Sequence, residues 1–240
     1  MPNVCAVIPA RYASTRFPGK MLADLLGKPL LQHVWENVRT AATVSRVLIA
    51  ADDPRILAAA ATFGAEAVLT DPALPSGTDR IAAATAGISA DWFLNVQGDE
   101  PLITGEVIDR FIRAVDGSCP MATLARRITS PSALASPDVV KVVTCLEGRA
   151  LYFSRAPIPH VRDSGDSAEH WHHLGIYLYR PGTLRRLVTL PPSPLELAEK
   201  LEQLRALQNG IAIQVVPTTV EPIGVDRPED LQRVAARLRS

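Results

Sequence analysis

Three cationic side chains follow the first strand-like run of the chain. Residues 4–8 are apolar and end at Pro9, and the next segment carries Arg11, Arg16 and Lys20. Ligands of open α/β sheets bind at the carboxyl ends of strands, and arginine and lysine suit phosphate oxygens. The segment has neither a Walker A nor a G-x-G-x-x-G pattern. It therefore predicts a polyphosphate-binding loop of another kind, with a solvated basic loop as the alternative.

Acidic residues follow a second apolar run, at residues 92–94. Asp99 and Glu100 stand directly before Pro101. Carboxylates at a strand end suit Mg²⁺ that also holds substrate phosphates, and a turn or helix-cap role is the alternative. A further acid, Asp226, lies just before a predicted helix, where the sequence alone favours an N-cap aspartate.

The turn Ser76-Gly77-Thr78 admits two interpretations. Ser76 or Thr78 can cap the helix predicted to follow. Alternatively, these small residues let a ligand approach the backbone closely.

Three histidines at 170, 172 and 173 raise the possibility of a transition-metal site. On a strand, however, His170 and His172 face one side and His173 faces the other with Tyr177. That alternation argues against zinc.

The elements that must position these residues alternate along the first half of the chain. Strand-like runs are predicted at residues 4–8, 47–50, 67–69, 92–96, 121–125, 139–143, 150–153, 174–179 and 211–216. Helices are predicted at residues 29–41, 53–63, 79–86, 105–115, 195–208 and 228–239. This order predicts an α/β fold with a mostly parallel central sheet flanked by helices. We expect a single domain spanning residues 1–240, with a smaller subregion and a polar loop after residue 156.

Composition narrows the function further. Of 240 residues, 25 are Lys or Arg and 25 are Asp or Glu, so the formal net charge is zero. That balance argues against general nucleic-acid binding. The three cysteines show no CxxC spacing, and no apolar run is long enough for a transmembrane helix. With no secretory signal recognised, we expect a cytoplasmic protein that binds no membrane.

Together, the motifs identify a resemblance that spans nearly the whole chain in order. The matching segments are VIPARYASTRFPGK, GKPLLQHVWE, SGTDR, NVQGDEP, MATLA, VVKVV, ALYFSRAPIP, HLGIYLYR, SPLELAEKLEQLRAL and GVDRPEDLQRV. The chain resembles the 3-deoxy-manno-octulosonate (Kdo) cytidylyltransferase family of lipopolysaccharide biosynthesis. The resemblance implies a nucleotide-diphospho-sugar transferase-like fold, a homodimer, and a Mg²⁺-dependent reaction of CTP with Kdo that gives CMP-Kdo and pyrophosphate.

The resemblance also implies roles for individual residues. The catalytic residues it implies are Arg16, Lys20 and Asp99. The CTP contacts it implies are Ala10, Arg11, Arg16, Lys20, Ser76, Gly77, Thr78 and Arg80. The magnesium ligands are Asp99 and Asp226, so the resemblance reverses the N-cap interpretation of Asp226. The sugar contacts are Gln97, Arg155, His173, Tyr177, Glu202 and Gln203.

Two positions depart from the family pattern and leave the exact acidic sugar open. Asp79 stands where the family has glutamate, and His160 stands where an aromatic residue is common. 8-Amino-Kdo and sialic acid are the alternative substrates. Other classes are a non-catalytic nucleotide-binding protein and a glycosyltransferase, although the DxD pair typical of the latter is not seen in Asp99-Glu100-Pro101. Roles for His160, His170 and His172 are not assigned.

Two segments are candidates for the surface of the homodimer that the resemblance implies. The segment LYFSRAPIP and the apolar face of the predicted helix 195–208 can form a surface shared between two copies. That face carries leucines at three- or four-residue spacing, namely Leu197, Leu201, Leu204 and Leu207. The alternative is that these leucines pack into the chain's own core.

Overall fold

The computed structural model describes residues 2–14, 16–163, 168–221 and 223–239. The chain forms two compact units. Unit 1 comprises Met1–Arg113 and Glu221–Ser240, and unit 2 comprises Ala114–Val220. The expectation of one domain over the whole chain remains a prediction.

Unit 1 is built on a parallel sheet of four strands in the order β6-β1-β4-β5. The strands are β1 (Val4–Ala10), β4 (Arg46–Ala51), β5 (Glu66–Leu69) and β6 (Trp92–Asn95), and a short hairpin joins β2 (Asp24–Leu25) to β3 (Lys28–Pro29). Every residue of β1 is buried, which explains its unbroken apolar sequence. The carboxyl ends of β1, β4 and β6 therefore lie at the same edge of this sheet.

Five helices connect and follow these strands in sequence. They are α1 (Leu30–Arg39), α2 (Pro54–Thr62), α3 (Gly77–Ala84), α4 (Gly105–Ala114) and α9 (Pro228–Arg239). The last of these returns to unit 1, where Val225 and Val234 form a core cluster with Leu25 and Leu30. This packing brings the segment before α9 back to residues near the start of the chain.

Unit 2 contains a mixed sheet. Its strands are β7 (Met121–Arg127), β8 (Lys141–Thr144), β9 (Ala150–Ser154), β10 (Trp171–Tyr179) and β11 (Ile213–Thr218). Strand β11 runs parallel to β7, and β10 runs antiparallel to both β7 and β8, while β9 is antiparallel to β8. The helices of this unit are α5 (Pro131–Ala135), α6 (Pro181–Thr189), α7 (Pro194–Glu199) and α8 (Gln203–Gln208).

The predicted fold class is confirmed, and most predicted elements are present. The single helix predicted at residues 195–208 is wrong: Lys200 adopts a left-handed conformation with φ 54° and separates α7 from α8. Two helices were not predicted, α5 and α6. The polar segment after residue 156 forms no helix or strand where it is described up to residue 170, and residues 164–167 lie outside the described part.

Candidate active site

The cationic loop after β1 is closed by hydrogen bonds around Tyr12. The backbone N–H of Gly19 donates to the carbonyl of Tyr12 at 3.0 Å, and the N–H of Tyr12 donates to the carboxylate of Asp52 at 2.8 Å. The guanidinium of Arg55 lies 3.4 Å from the centre of the Tyr12 ring. Gly19 has φ 72°, a conformation that favours glycine. Both ends of the loop are thereby fixed beside β4.

A cation–carboxylate cluster lies where this loop ends. The Lys20 ammonium contacts the Asp99 carboxylate, donates to the Val225 carbonyl at 3.0 Å, and lies 3.6 Å from the Asp226 carboxylate. Arg16 donates to Asp226 at 2.9 Å. Lys20 is nearly buried, whereas half of the Asp226 side chain is exposed. Four of the predicted site residues are therefore brought together in unit 1.

The cap of α9 explains why Asp226 is available to this cluster. The Asp230 carboxylate accepts the N–H groups of Asp226 and Arg227 at 3.0 and 2.9 Å. The N–H of Val225 donates to the carbonyl of Asp99 at 2.9 Å. Asp230 thus satisfies the helix end, and the Asp226 carboxylate faces Lys20 and Arg16 instead. The N-cap interpretation of Asp226 is not supported.

Close backbone packing positions Asp99. A Cβ added at Gly98 would lie 2.9 Å from the sulfur of Met21 and 3.3 Å from the carbonyl of Pro9. A larger residue here would require Met21 to move and would crowd the Pro9 carbonyl, so glycine favours the close approach of the segment after β6 to the end of β1.

The two adjacent acids behave differently. Asp99 contacts Lys20, whereas one carboxyl oxygen of Glu100 is buried without a hydrogen-bond partner among the described residues. Burial, with a smaller contribution from the charge of Asp99, raises the pKa of Glu100 to about 8. Glu100 is therefore largely protonated at neutral pH.

The Ser76-Gly77-Thr78 turn begins α3. The Ser76 hydroxyl accepts the N–H of Asp79 at 3.1 Å and donates to the Asp79 carboxylate at 2.6 Å, which confirms the predicted cap. A Cβ at Gly77 would meet Pro9 only at 3.6 Å, an ordinary contact. The protein's own packing therefore leaves room for the predicted nucleotide contact, and Thr78 is itself buried.

Arg80 lies near Asp52, the residue that binds the backbone of the cationic loop. Arg80 is fully buried and donates to the Thr70 hydroxyl and to the Asp71 carbonyl. Its Nη2 lies 4.0 Å from Asp52, and its Nε and Nη2 have no hydrogen-bond partner within the described ranges. Burial lowers the pKa of Arg80 and the charge of Asp52 opposes that shift. A contact of Arg80 with CTP remains a prediction.

Ala10 and Arg11 lie at the carboxyl end of β1. The Ala10 side chain is buried, and its carbonyl accepts the N–H of Asp52 at 3.2 Å. Arg11 is half exposed, with its Nε 3.9 Å from the Asp52 carboxylate. Asp52 thus contacts three parts of the predicted nucleotide site. Sequence reasoning missed it, although its place directly after β4, the neighbour of β1, was a usable signal.

Five of the six predicted sugar contacts lie in unit 2, among them His173. The His173 ring is buried, with its centre 5.0 Å from that of Phe153 and 5.4 Å from that of Tyr177. The Nε2 atoms of His173 and Gln203 are buried and have no hydrogen-bond partner among residues that the structure describes. Unpaired buried polar atoms are costly in a folded protein. Here they fit a site that a polar ligand completes.

Burial also sets the charge of these groups. It lowers the pKa of His173 to about 3, with a smaller effect of His172, so His173 is neutral at pH 7. It raises the pKa of Tyr177, to which Tyr179 and Glu202 add. His173 and Tyr177 can therefore form hydrogen bonds but carry no charge.

The remaining sugar contacts differ in their surroundings. Arg155 donates through Nε to the Glu199 carbonyl at 2.8 Å and through Nη1 to the Pro137 carbonyl at 2.9 Å. Gln97, in unit 1, donates to the side chain of Asn95 at 3.3 Å. Glu202 is half-buried at the start of α8.

The other histidines do not form a metal site in the described residues, where no group of three His, Cys, Asp or Glu is placed to hold a metal ion. His170 contacts the Ile158 carbonyl at 3.0 Å through Nδ1. Burial lowers the pKa of His172 to about 4, to which Arg126 and Lys141 contribute. His160 is exposed.

No described helix combines the length and the apolar composition of a transmembrane segment.

Comparisons with known proteins agree with this geometry. The cytidylyltransferase family model matches residues 5–213. The 3-deoxy-manno-octulosonate cytidylyltransferase of Geobacter metallireducens is 49% identical over 248 residues, covering 98% of each chain. The protein of that name from an Anaeromyxobacter species is 50% identical over 240 residues, covering 99% of this chain and 98% of that one.

A solved structure is similar over the same length. It is CMP:2-keto-3-deoxy-manno-octonic acid synthetase complexed with CTP. The TM-score is 0.94 at 41% identity, and the alignment covers 99% of this chain and 98% of that one.

Proposed function

This chain belongs to the 3-deoxy-manno-octulosonate cytidylyltransferase family, which joins CTP to Kdo, and we propose that the cluster around Lys20 and Asp99 performs this transfer. The observation that carries the proposal is the convergence of Lys20, Asp99 and Asp226 within unit 1. Two carboxylates and a buried ammonium at the carboxyl end of a parallel sheet suit a metal-bound polyphosphate.

Unit 1 supplies the nucleotide contacts. Arg11, Arg16 and Lys20 bind the triphosphate, because their charges lie along one loop that Tyr12 and Asp52 hold in place. Ala10 and the Ser76-Gly77-Thr78 turn contact the cytidine.

The donor set fits magnesium. Mg²⁺ prefers oxygen ligands and binds through one or two carboxylates together with substrate phosphates and water. Asp99 and Asp226 would hold it, and Lys20, which now contacts both, would be free to turn toward the phosphates. When bound, the metal would polarise the reacting oxygens and reduce repulsion between the anionic substrates.

Unit 2 supplies contacts for the acidic sugar. Arg155 provides positive charge for the Kdo carboxylate, and neutral His173, Tyr177 and Gln203 provide hydrogen bonds. Glu202 accepts from sugar hydroxyls. Gln97 of unit 1 is a further proposed sugar contact.

The reaction needs positioning rather than a protein nucleophile. The anomeric hydroxyl oxygen of Kdo forms a bond to the α-phosphorus of CTP, the bond from that phosphorus to the bridging oxygen of pyrophosphate breaks, and the hydroxyl proton goes to solvent. Arg16 and Lys20 stabilise the charge that grows on the departing pyrophosphate.

The test is pyrophosphate release from each of the four common nucleoside triphosphates, with Mg²⁺, with and without Kdo. Release only with CTP and Kdo together supports the proposal. Release with CTP and 8-amino-Kdo or sialic acid, but not Kdo, keeps the mechanism and changes the sugar. No release from a protein that binds CTP would identify a non-catalytic nucleotide-binding protein.

A homodimer is a further part of the proposal. The leucines of the predicted helix 195–208 differ in burial. Leu201 and Leu204 are buried in the chain's own core, whereas Leu197 is half exposed. Leu151 of β9 and Leu146 in the turn before it are also exposed, at 62% and 103%. Light scattering should give twice 25.9 kDa, and Leu151→Lys should shift the particle toward the monomer; a monomer at micromolar concentration would contradict the dimer.

A cytoplasmic location also remains a proposal. Cys5, Cys119 and Cys145 are free thiols, which suits a reducing compartment.

A further inference from the structure

A buried lysine of unit 2 uses its ammonium entirely on backbone carbonyls. Lys141, in β8, is fully buried, and its Nζ donates to the carbonyls of Ser136 at 2.9 Å, Val139 at 2.7 Å and Arg155 at 2.6 Å. An ammonium has three donors, so all three are used. Burial lowers the pKa of Lys141, and the charge of Arg155 adds to that effect. A lysine is an expensive residue to bury for a purely structural contact.

Glu199, at the end of α7, binds the end of β9, where Arg155 follows Ser154. Its carboxylate accepts from the Ser154 hydroxyl at 2.6 Å and from the Arg155 N–H at 2.9 Å, and Tyr152 approaches it at 3.5 Å. These hydrogen bonds overcome the effect of burial and lower the pKa of Glu199. It is therefore ionised at neutral pH.

The break between α7 and α8 makes the Glu199 carbonyl available as well. Lys200 is left-handed, and both its N–H and that of Leu201 are directed to the carbonyl of Glu196. Carbonyls in the last turn of a helix lack intrahelical donors. The Glu199 carbonyl accepts the Nε of Arg155 at 2.8 Å instead.

Four polar groups of Arg155 consequently form hydrogen bonds within the protein. Glu199 binds its N–H and its Nε, Lys141 binds its carbonyl, and Pro137 accepts from its Nη1. Its Nη2 makes no hydrogen bond to any residue in the described part of the chain. The guanidinium is thus held in one orientation with one nitrogen left for a ligand.

We propose that Glu199 and Lys141 are positioning residues that hold Arg155 ready for the carboxylate of the acidic sugar. This inference rests on the proposed function of Arg155. A free arginine side chain loses rotamer entropy when it is ordered. Here the protein orders it before the sugar binds, so that loss does not weaken sugar binding.

The test compares KM for Kdo with KM for CTP in Glu199→Ala. We expect KM for Kdo to rise about tenfold, because the Arg155 backbone N–H and the Ser154 hydroxyl lose the carboxylate that anchors this segment, while the Nε contact to the Glu199 carbonyl remains. KM for CTP should change less than twofold. Glu199→Gln, which keeps one acceptor oxygen, should have a smaller effect. Lys141→Met leaves three carbonyls unpaired and is expected to fold poorly, so the Glu199 variants carry the test.

Glu196→Ala is the matched control on the same helix. Glu196 binds Arg205 and completes the cap with Ser193, and among the described residues its carboxylate forms no hydrogen bond or ion pair with Arg155. It should lower the melting temperature while leaving KM for Kdo within twofold. An equal rise in KM for Kdo in this control would overturn the inference, since general loosening would then explain the result.

Arg155→Ala separates this inference from the proposed function. If Arg155→Ala raises KM for Kdo and Glu199→Ala does not, the positioning role is refuted and the sugar contact stands. If Arg155→Ala itself leaves KM for Kdo unchanged, the proposed sugar contact fails, and the positioning role fails with it.

Discussion

Replacing Lys20 by methionine should move metal binding and turnover in opposite directions. Lys20 contacts Asp99 and lies 3.6 Å from Asp226, so its charge competes with any cation for both carboxylates. Two unit charges about 4 Å apart interact by about 4 kcal/mol at an effective dielectric constant of about 20. Because half of Asp226 is exposed, solvent screening reduces this figure. We therefore expect the Lys20 charge to weaken metal binding at these carboxylates by about 1–2 kcal/mol.

That energy corresponds to a metal affinity of the free enzyme that is about 5–30-fold tighter in the variant. Turnover should fall by about 100-fold or more, because a preorganised donor to the departing phosphate is lost. Titration with Mn²⁺ followed by electron paramagnetic resonance measures the first quantity, and pyrophosphate release measures the second. Lys28→Met is the control, since Lys28 is an exposed lysine of the same unit whose ion-pair partner is Glu36.

The reasoning is refuted if Lys20→Met, folded and binding CTP, keeps its turnover within threefold. It is also refuted if the affinity of the free enzyme for Mn²⁺ falls rather than rises, because Lys20 would then assist metal binding instead of competing with it.

Three further predictions follow from single residues. Asp99→Asn should reduce pyrophosphate release at saturating Mg²⁺ by about 100-fold or more, with a circular dichroism spectrum like that of the parent; a near-full rate would remove Asp99 from the site. The pKa of His173 is about 3 in the folded protein, below its ordinary value of 6.5, so the unfolded chain binds a proton first as the pH falls. The contribution of His173 to the free energy of unfolding is therefore complete above about pH 6.5 and decreases below it, by about 3 kcal/mol at pH 4. Urea unfolding of His173→Gln should show a pH dependence weaker by that amount, and an unchanged slope would contradict the buried neutral imidazole. Lys200→Gly should raise the free energy of unfolding by about 1 kcal/mol, since the left-handed conformation at φ 54° disfavours a side chain; a decrease would argue against that conformation.

Local patterns were sufficient for much of the fold. Buried strands of a parallel sheet need continuous apolar runs, so β1, β4 and β6 are visible in the sequence. The cap of α3 was narrowed to Ser76 or Thr78 because capping depends on residues a few positions apart, and the structure has Ser76 in that role. The cations of the first loop were found in the same way, since they follow one strand within a short segment.

The helix predicted at residues 195–208 shows where local reasoning fails. Its leucine spacing suits one continuous helix, yet the chain breaks at Lys200. The break gives the Glu199 carbonyl to Arg155, a contact 44 residues away in the chain. No periodicity within the segment encodes that partner.

Asp226 shows the same limit at the candidate site. From the bare sequence it is an ordinary helix-cap acid, and only the family resemblance suggested a ligand. In the structure Asp230 satisfies the start of α9, and Asp226 meets Arg16 across 210 residues of chain.

The sequence by itself determined the buried strands of the parallel sheet, the cationic loop, and the family to which the chain belongs, because these are visible in short segments of consecutive residues. Only the tertiary structure decided which acids face Lys20, which histidine is buried and neutral, and what holds Arg155. Those properties depend on burial and on hydrogen bonds between residues far apart in the chain, which exist only when the chain is folded.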